Sequence, residues 1–214
     1  MNDQKVFFQV GMSLDGFIAG PNASPQNPMG DGGGEHLHKW LFAQRAFRSN
    51  SGLGADGQTG NDNDIVEAIM KRPAAGIMGA RMFKEGEAAW PENAPFHKPV
   101  FVVTNEKREP WERPGGTVFY FVNDGIESAL QRAKTAAAGK DIQIHGGANT
   151  IAQYLNAGLV DDFMIHYAPV FLGQGGAALF ANINPNVKVK ITQTVASQNV
   201  THVTYAVEHK DNLR

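Results

Sequence analysis

The sequence predicts an α/β fold with a mixed, mostly parallel sheet of about eight strands and an antiparallel C-terminal edge. Through most of the chain, short apolar runs alternate with turn residues and helical stretches, which is typical of parallel strands covered by helices. The C-terminal quarter contains strand patterns without helices between them, which favours antiparallel pairing. The chain shows no internal repeat, so we expect one domain over residues 1–214.

The first strand, at residues 6–10, leads into a glycine-rich excursion. Glycine runs between residues 30 and 60 predict loops. Between these runs, apolar residues recur with helical spacing over residues 35–48, and a second short helix begins at about Asp62. We expect this excursion to form a rim around a site and not a separate domain.

Further strands are predicted in the middle of the chain, at residues 75–78, 100–103, 118–122 and 142–144. The helix after the fourth of the five apolar runs has Asp124 as its expected N-cap and Glu127 at the capping-box position. Its apolar face consists of Ile126, Ala129, Leu130 and Ala133. The next helix carries an apolar side of Ile151, Tyr154 and Leu155 and is expected to end at Gly158.

Three strand patterns complete the chain, at residues 162–168, 187–195 and 201–208, and a tight turn at residues 197–199 joins the last two. The open backbone groups of such an edge favour pairing with a second copy, so we expect a homodimer.

Composition excludes several functional classes. The 19 basic and 21 acidic residues give a net charge of −2, which argues against nucleic acid as a partner. The absence of cysteine excludes disulfides, thiolate nucleophiles and cysteine-ligated metal sites, and we expect no metal. A polar start and the lack of a long apolar stretch predict a soluble, cytoplasmic protein without a membrane partner.

The strongest candidate binding turn is Gly146 to Thr150, where a strand passes into a helix. Its residues Gly146, Gly147, Ala148, Asn149 and Thr150 combine two glycines with the N-terminus of that helix. Glycines allow close approach of the backbone, and a helix N-terminus attracts anions, so a pyrophosphate fits. A tight structural turn without a ligand is the equally weighted alternative.

Two more strand ends carry polar groups. Gly79 ends a strand two residues before Arg81, whose guanidinium could pair with a phosphate. A solvated arginine in the first turn of a helix is the alternative. Thr104 and Asn105 end the next strand with a hydroxyl and an amide suited to a ribose, although the same pair is common in ordinary turns.

The order of these motifs resembles the dihydrofolate-reductase-like superfamily, and within it the reductase domain of the bifunctional riboflavin-biosynthesis deaminase-reductase. The resemblance covers nearly the whole chain. It is carried by these segments: Ser13-Leu14-Asp15-Gly16-Phe17-Ile18-Ala19, Met78-Gly79-Ala80-Arg81-Met82-Phe83, Val102-Val103-Thr104, Gly146-Gly147-Ala148-Asn149-Thr150, Ala157-Gly158-Leu159-Val160-Asp161 and Ala168-Pro169-Val170-Phe171-Leu172-Gly173.

The resemblance implies a three-layer reductase fold, a small-molecule substrate, and NADPH lying across the carboxyl edge of the sheet. It assigns Gly79 and Arg81 to the adenosine-side phosphate, and Thr104 with Asn105 to the adenosine ribose. It assigns residues 146–150 to the pyrophosphate, and Ile18 with Ala19 to the nicotinamide. Hydride transfer needs no protein nucleophile and no metal, in agreement with the composition.

Asp15 matches the acid of the family's Ser-Leu-Asp-Gly motif, which the resemblance makes a catalytic candidate for substrate binding or proton supply. A hydrogen bond to a neighbouring turn is the alternative role of this side chain. The sequence departs from the family pattern at Ala80, where a cation is common, and at Met82, where threonine is common. A nucleotide-binding or ligand-sensing protein without catalysis is therefore the alternative function. We assign no chemistry to residues 90–99, and we expect His145 and His166 to be packed side chains.

Overall fold

Nine strands and six helices make up the fold in the computed structural model, which describes residues 4–173 and 175–209. The strands are β1 (Val6–Met12), β2 (Pro73–Gly79), β3 (Pro99–Val103), β4 (Trp111–Glu112), β5 (Val118–Val122), β6 (Asp141–Gly146), β7 (Asp162–Tyr167), β8 (Lys188–Ala196) and β9 (Thr201–Glu208). The remaining residues of the expected domain, 1–3, 174 and 210–214, lie outside the described residues.

All nine strands belong to one sheet, in the order β4-β5-β3-β2-β6-β1-β7-β9-β8. The strands from β5 to β7 in this order pair in parallel, whereas β4, β9 and β8 pair antiparallel. The predicted mixed sheet with an antiparallel C-terminal edge is confirmed. The strand beyond the expected eight is β4, a two-residue pairing of Trp111 and Glu112 with β5 that is too short to give a sequence pattern.

The helices are α1 (Lys39–Phe42), α2 (Arg45–Asn50), α3 (Asn61–Lys71), α4 (Ala80–Glu87), α5 (Ile126–Ala137) and α6 (Ala148–Asn156). The prediction of one helix over residues 35–48 is wrong, because this stretch divides into a 3-10 turn at Gly34–Leu37, then α1, then α2. The break is at Gln44, which is extended at φ −78° and ψ 137°. The backbone on both sides of it bonds to Gln58 instead of continuing the helix.

The helices form two layers, one on each face of the sheet. On one face, α5 and α6 pack on the larger core together with Phe8, Ile77 and Ile144. On the other face, α4 packs through Phe83 on Met78 and its neighbours. The excursion helices α1 to α3 also cover this second face. This three-layer arrangement places the gap between α3 and the loop after α4 over the middle of the sheet.

The start of α5 corrects the predicted cap. The N-cap is Gly125, at φ 100°, and not Asp124, and no side chain caps the helix. A residue with positive φ leads into this helix, which favours glycine, and Asp124 lies one position too early to reach the free amides. The carboxylate of Asp124 instead accepts a hydrogen bond from Arg132. The predicted apolar face is confirmed, since Ala129, Leu130 and Ala133 are buried.

Arg72 connects the amino ends of three neighbouring strands. Its guanidinium donates to Asp141 on β6 and, through two nitrogens, to Asp162 on β7, with all three distances at 2.7 Å. It also lies 3.8 Å from the ring centroid of Phe7 on β1. These contacts tie β6, β1 and β7 together at the edge opposite the candidate site.

We expect Arg72→Met to lower the free energy of unfolding by ~2 kcal/mol, because two half-buried carboxylates lose their common partner. Urea unfolding measures this loss. The matched control is Arg132→Met, which removes an ion pair to Asp124 between side chains 52% and 57% exposed. Such an exposed pair contributes ~0.5 kcal/mol or less. Equal effects of the two substitutions would contradict the role of Arg72.

Candidate functional site

Four parallel strands bring the predicted binding segments to one edge of the sheet. β3, β2, β6 and β1 lie side by side in this order, so their carboxyl ends are neighbours. Thr104 follows β3, Gly79 ends β2, Gly146 ends β6 and Ser13 follows β1. β6 lies between the first two strands of the chain, and this insertion makes Gly79 and Gly146 adjacent.

Two helices begin at this edge without side-chain caps. α4 starts directly after Gly79, and α6 starts directly after Gly147. The first N–H groups of a helix have no helical acceptor, and together with the positive end of the helix dipole they attract anions. Two such N-termini on neighbouring strands give this edge a positive potential that comes from the backbone.

The three glycines of this edge differ in why the structure needs a residue without a side chain. A Cβ on Gly79 would lie 2.2 Å from Oγ1 of Thr150, so the end of β2 packs directly against α6. Gly146 has φ 126°, a conformation that side-chain-bearing residues rarely adopt. Gly147 is different, because it has φ −78° and a Cβ there would have no heavy atom within 4 Å. Open space above an exposed helix start suits close approach of a ligand.

Two polar side chains that follow β2 and β3 form hydrogen bonds within the protein itself. Arg81 is 70% exposed and donates to Glu85 at 2.8 Å and to the carbonyl of Ala23 at 3.0 Å. Oγ1 of Thr104 accepts from the N–H of Glu106 at 3.1 Å, as in an ordinary turn. Asn105 is exposed. Arg81 is therefore held beside the start of α4, within the first turn that the sequence singled out.

Asp15 lies after β1 and holds a turn with its carboxylate. It accepts from Oγ of Ser13 at 2.5 Å and from the backbone N–H groups of Leu172 and Gly173, the latter at 2.8 Å. The Ser13 hydroxyl and these amides lower the pKa of Asp15 below its ordinary value. The carboxyl group is therefore ionised at neutral pH, which favours the hydrogen-bonding role over proton supply.

We expect Asp15→Asn to weaken the attachment of the loop at residues 172–173 and to speed amide hydrogen exchange there. The folded-state pKa is lowered, so the carboxylate stabilises the fold above the unfolded value of about 4. This stabilisation is lost as the pH falls through the lower folded-state pKa. Urea unfolding of the variant and the wild type should thus differ at pH 7 and converge toward pH 2. A constant difference would contradict this assignment.

Ile18 and Ala19 are fixed beside the carboxyl end of β1 by a second segment of chain. The N–H of Ile18 donates to the carbonyl of Ala177 at 2.9 Å, and the N–H of Ala177 donates to the carbonyl of Ala19 at 3.0 Å. Both residues are partly buried. This pairing gives the segment at residues 18–19 a defined position along the same edge.

A cavity of about 400 Å³ opens on the face covered by α3 and the loop before β3. Its floor is formed by polar side chains of the sheet, and its walls are mainly apolar. The lining residues are Gln9, Leu41, Phe47, Asn50, Val66, Ile69, Met70, Pro73, Pro95, Phe96, His97, Lys98, Gln143 and His145. His145 directly precedes Gly146, so the cavity floor on β6 ends one residue before the turn at the strand end.

The cavity contains one lysine, Lys98, and no carboxylate among its lining residues. Lys98 forms no ion pair within the described part of the chain, and burial lowers its pKa below the ordinary value. Burial and the nearby Lys98 charge lower the pKa of His145 to about 3, so its ring is neutral. Nε2 of His145 is buried without a hydrogen-bond partner among the described residues. This cavity favours neutral or anionic ligands over cations.

The cavity is the part of the site that sequence reasoning missed. Residues 95–98 belong to the loop to which we assigned no chemistry, and yet they form one wall. Gln9 stands within the apolar strand β1, and Gln143 stands between two buried isoleucines of β6, and these polar positions were the available signal. The expectation that His166 is a packed side chain is confirmed, and both of its ring nitrogens have side-chain partners.

Comparison with known proteins supports these observations. The family model described as the RibD C-terminal domain matches residues 4–203. An uncharacterized protein of Bacillus subtilis (strain 168), YyaP, is 36% identical over 86 residues, which span 40% of this chain and 45% of that protein. The match therefore covers less than half of the relative's length.

Solved structures share the fold at low sequence identity. A protein of Shewanella sp. PV-4 described as a riboflavin biosynthesis protein has a TM-score of 0.63 at 21% identity, over 96% of this chain and 100% of that chain. Dihydrofolate reductase from Enterococcus faecalis, complexed with NADP(H) and RAB-propyl, has a TM-score of 0.55 at 13% identity, over 96% and 97% of the two chains.

The deaminase and 5-amino-6-(5-phosphoribosylamino)uracil reductase from Thermotoga maritima has a TM-score of 0.59 at 14% identity, over 96% of this chain and 57% of that chain. The predicted dihydrofolate-reductase-like fold is thereby confirmed. Within residues 4–173 and 175–209, no helix is long and apolar enough to cross a membrane. The same residues contain no cluster of three or more metal-ligating His, Cys, Asp or Glu side chains.

Proposed function

Because the chain belongs to the RibD C-terminal domain family, we propose that it is an NADPH-dependent reductase that transfers a hydride to a small heterocyclic or carbonyl substrate. One observation carries this proposal: the carboxyl ends of β3, β2, β6 and β1 are adjacent, and two uncapped helix N-termini open between them. A dinucleotide needs such an extended edge with anion-binding positions.

The residues of this edge fit the cofactor. Open space above Gly147 leaves room for a pyrophosphate against the amides of the first turn of α6. When bound, a reduced nicotinamide supplies the hydride, while the protein binds and orients the two reactants. We assign the contacts as follows: Gly146, Gly147, Ala148, Asn149 and Thr150 to the pyrophosphate, Gly79 and Arg81 to the adenosine-side phosphate, Thr104 and Asn105 to the adenosine ribose, and Ile18 and Ala19 to the nicotinamide.

We place the substrate in the cavity between α3 and the loop at residues 95–98. Its volume of about 400 Å³ is within the usual range for small-molecule sites. Phe47 and Phe96 offer apolar walls for a flat ring, and Gln9 and Gln143 offer amides at the floor. The lining residue His145 directly precedes Gly146, which supports delivery of the substrate ring to the strand-end site.

The catalytic role of Asp15 stays a prediction. Its lowered pKa and its bonds to residues 172–173 support a positioning role, in which the proton comes from solvent. If Asp15→Asn retains the rate of reduction at saturating substrate, the side chain is not the proton donor. A loss of kcat with unchanged KM would favour direct proton supply.

The cofactor is tested by titrating NADPH and NADH while following nicotinamide fluorescence. We expect Arg81→Glu to lower the affinity for NADPH about tenfold and to change the affinity for NADH little, because only NADPH carries a 2′-phosphate. The control Arg132→Glu reverses a charge on the surface of α5, outside the proposed site, and should change neither. Equal losses for both cofactors would contradict the role of Arg81.

Turnover separates the reductase from the alternative of a nucleotide-binding protein without catalysis. NADPH oxidation with any of a panel of pterins, pyrimidine ribosides and quinones would exclude that alternative. Cofactor binding without oxidation across the panel would favour it.

We also propose that residues 1–214 form one domain and that the protein is a homodimer. All strands of the described residues join one sheet, which supports the single domain. β8 is an edge strand whose Val189 and Ile191 side chains are 43% and 62% exposed, and this supports pairing of copies. Light scattering that shows a monomer at all concentrations would contradict the dimer.

A further inference from the structure

The floor of the cavity is backed by a chain of hydrogen bonds between buried side chains. The amide of Gln9 lies 2.6 Å from Nε2 of His166, and Nδ1 of His166 lies 2.7 Å from Nδ1 of His202. Nε2 of His202 lies 3.2 Å from Oδ1 of Asp62. Both histidines are 1% exposed, and the ring centroid of Trp40 lies 4.9 Å from each of theirs. Only Gln9 reaches the cavity.

The proton positions along this chain depend on each other. Asp62 lies in the first turn of α3, where the helix dipole favours a carboxylate, and its Oδ2 accepts from Oγ of Ser197 at 2.8 Å. A carboxylate at Asp62 requires the proton of His202 on Nε2. In a neutral ring Nδ1 of His202 then accepts, so Nδ1 of His166 must donate. Nε2 of His166 is left without a proton.

Both histidines are neutral at pH 7. Burial, with the nearby His202 and His38, holds the pKa of His166 well below its usual range. Burial also lowers the pKa of His202, although the bond to Asp62 opposes this shift. The neutral form of the chain is therefore the relevant one near neutrality.

The neutral chain determines how Gln9 is oriented. The amide atom of Gln9 that lies 2.6 Å from Nε2 of His166 is Oε1. A half-turn of the amide exchanges its oxygen and nitrogen at almost the same positions. Two acceptors cannot share a contact of 2.6 Å, so the NH₂ group must face the bare Nε2 of His166. The oxygen Oε1 then faces the cavity as a hydrogen-bond acceptor.

We propose that Oε1 of Gln9 determines specificity by accepting a hydrogen bond from a ring N–H of a planar heterocyclic substrate. Asp62, His202 and His166 are positioning residues that keep this acceptor in place. The inference rests on the proposed function, because it takes the cavity as the substrate site. The Lys98 ammonium adds a preference for neutral or anionic rings over cationic ones.

The proton positions are measured directly by long-range ¹H–¹⁵N NMR of the protein with ¹⁵N-labelled histidine at pH 7. We expect the proton of His166 on Nδ1 and that of His202 on Nε2. A proton on Nε2 of His166 would direct the NH₂ of Gln9 into the cavity and overturn the proposal. This measurement uses neither cofactor nor substrate, so its result is independent of whether the protein is a reductase.

Ligand preference is tested with 6-aminouracil and its 1,3-dimethyl analogue, which lacks the ring N–H donors, by titration calorimetry. We expect the wild type to bind 6-aminouracil about tenfold more tightly, the value of one hydrogen bond. Gln9→Met should reduce this ratio to within about threefold. The control Arg132→Met changes the exposed surface of α5, outside the cavity, and should retain the ratio.

Equal binding of the two probes to the wild type, or binding of neither, would overturn the proposal, as would retention of the full ratio in Gln9→Met. NADPH fluorescence on the same samples distinguishes failure of the role of Gln9 from failure of the proposed reductase function. A protein that binds NADPH and ignores both probes contradicts only the role of Gln9. A protein that binds the probes but not NADPH contradicts the proposed function and leaves the acceptor in place.

Discussion

Replacing Gly147 by alanine is expected to weaken NADPH binding about 100-fold, or ~2.7 kcal/mol, while the fold remains intact. The added Cβ meets no heavy atom of the protein within 4 Å, and φ −78° with ψ −164° is accessible to alanine. The methyl group would instead occupy the space that we assign to the pyrophosphate. Fluorescence titration measures the affinity, and thermal unfolding confirms the intact fold.

The control for this experiment is Asn149→Ala, in the first turn of α6. It removes an exposed side chain and retains the backbone amide. If main-chain amides hold the pyrophosphate, this variant should lose less than about threefold in affinity. An unchanged NADPH affinity in Gly147→Ala would show that the turn is structural, which is the alternative that the sequence left open.

Replacing Gly79 by alanine is expected to destabilise the fold by ~2–3 kcal/mol, because the new Cβ would lie 2.2 Å from Oγ1 of the buried Thr150. The backbone of Gly79, at φ −83°, accepts alanine, so the cost comes from this contact alone. Urea unfolding measures the loss.

Thr150→Ala removes the clashing oxygen and leaves its Cβ 3.5 Å away, an ordinary contact distance. The double variant should therefore regain most of the stability that Gly79→Ala loses, with a coupling free energy of ~2 kcal/mol in a double-mutant cycle. Additive effects would contradict the contact between β2 and α6 and, with it, the adjacency of the turns at Gly79 and Gly146.

The local pattern of apolar residues and glycines was sufficient to locate most helices and strands and the motifs at the strand ends. Alternating apolar runs located the strands, and the spacing of Ala129, Leu130 and Ala133 located α5, because side-chain periodicity reports which face of an element is buried. A glycine followed by a helix start likewise located the turns after β2 and β6 within a few residues of sequence.

Errors occurred where a distant pairing, or the backbone conformation of a neighbouring glycine, overrides the local pattern. Gln58 interrupts the helix expected over residues 35–48 by pairing with the backbone at Gln44, which lies fourteen positions before it. At the start of α5, the conformation of Gly125 displaces the cap expected at Asp124. Neither the pairing of Gln44 with Gln58 nor the conformation of Gly125 leaves a periodic signal in the sequence.

By itself, the sequence determined the class of fold, most of the elements, and the short glycine-containing segments at the strand ends, since all of these depend on neighbours along the chain. Tertiary structure alone decided that β6 inserts between β1 and β2, which brings those segments to one edge. It also decided that Lys98 and Gln9 share a cavity, and that two buried histidines lie behind the amide of the latter. Strand order and buried hydrogen bonds join residues far apart in the chain, and such pairings are selected by packing of the whole sheet.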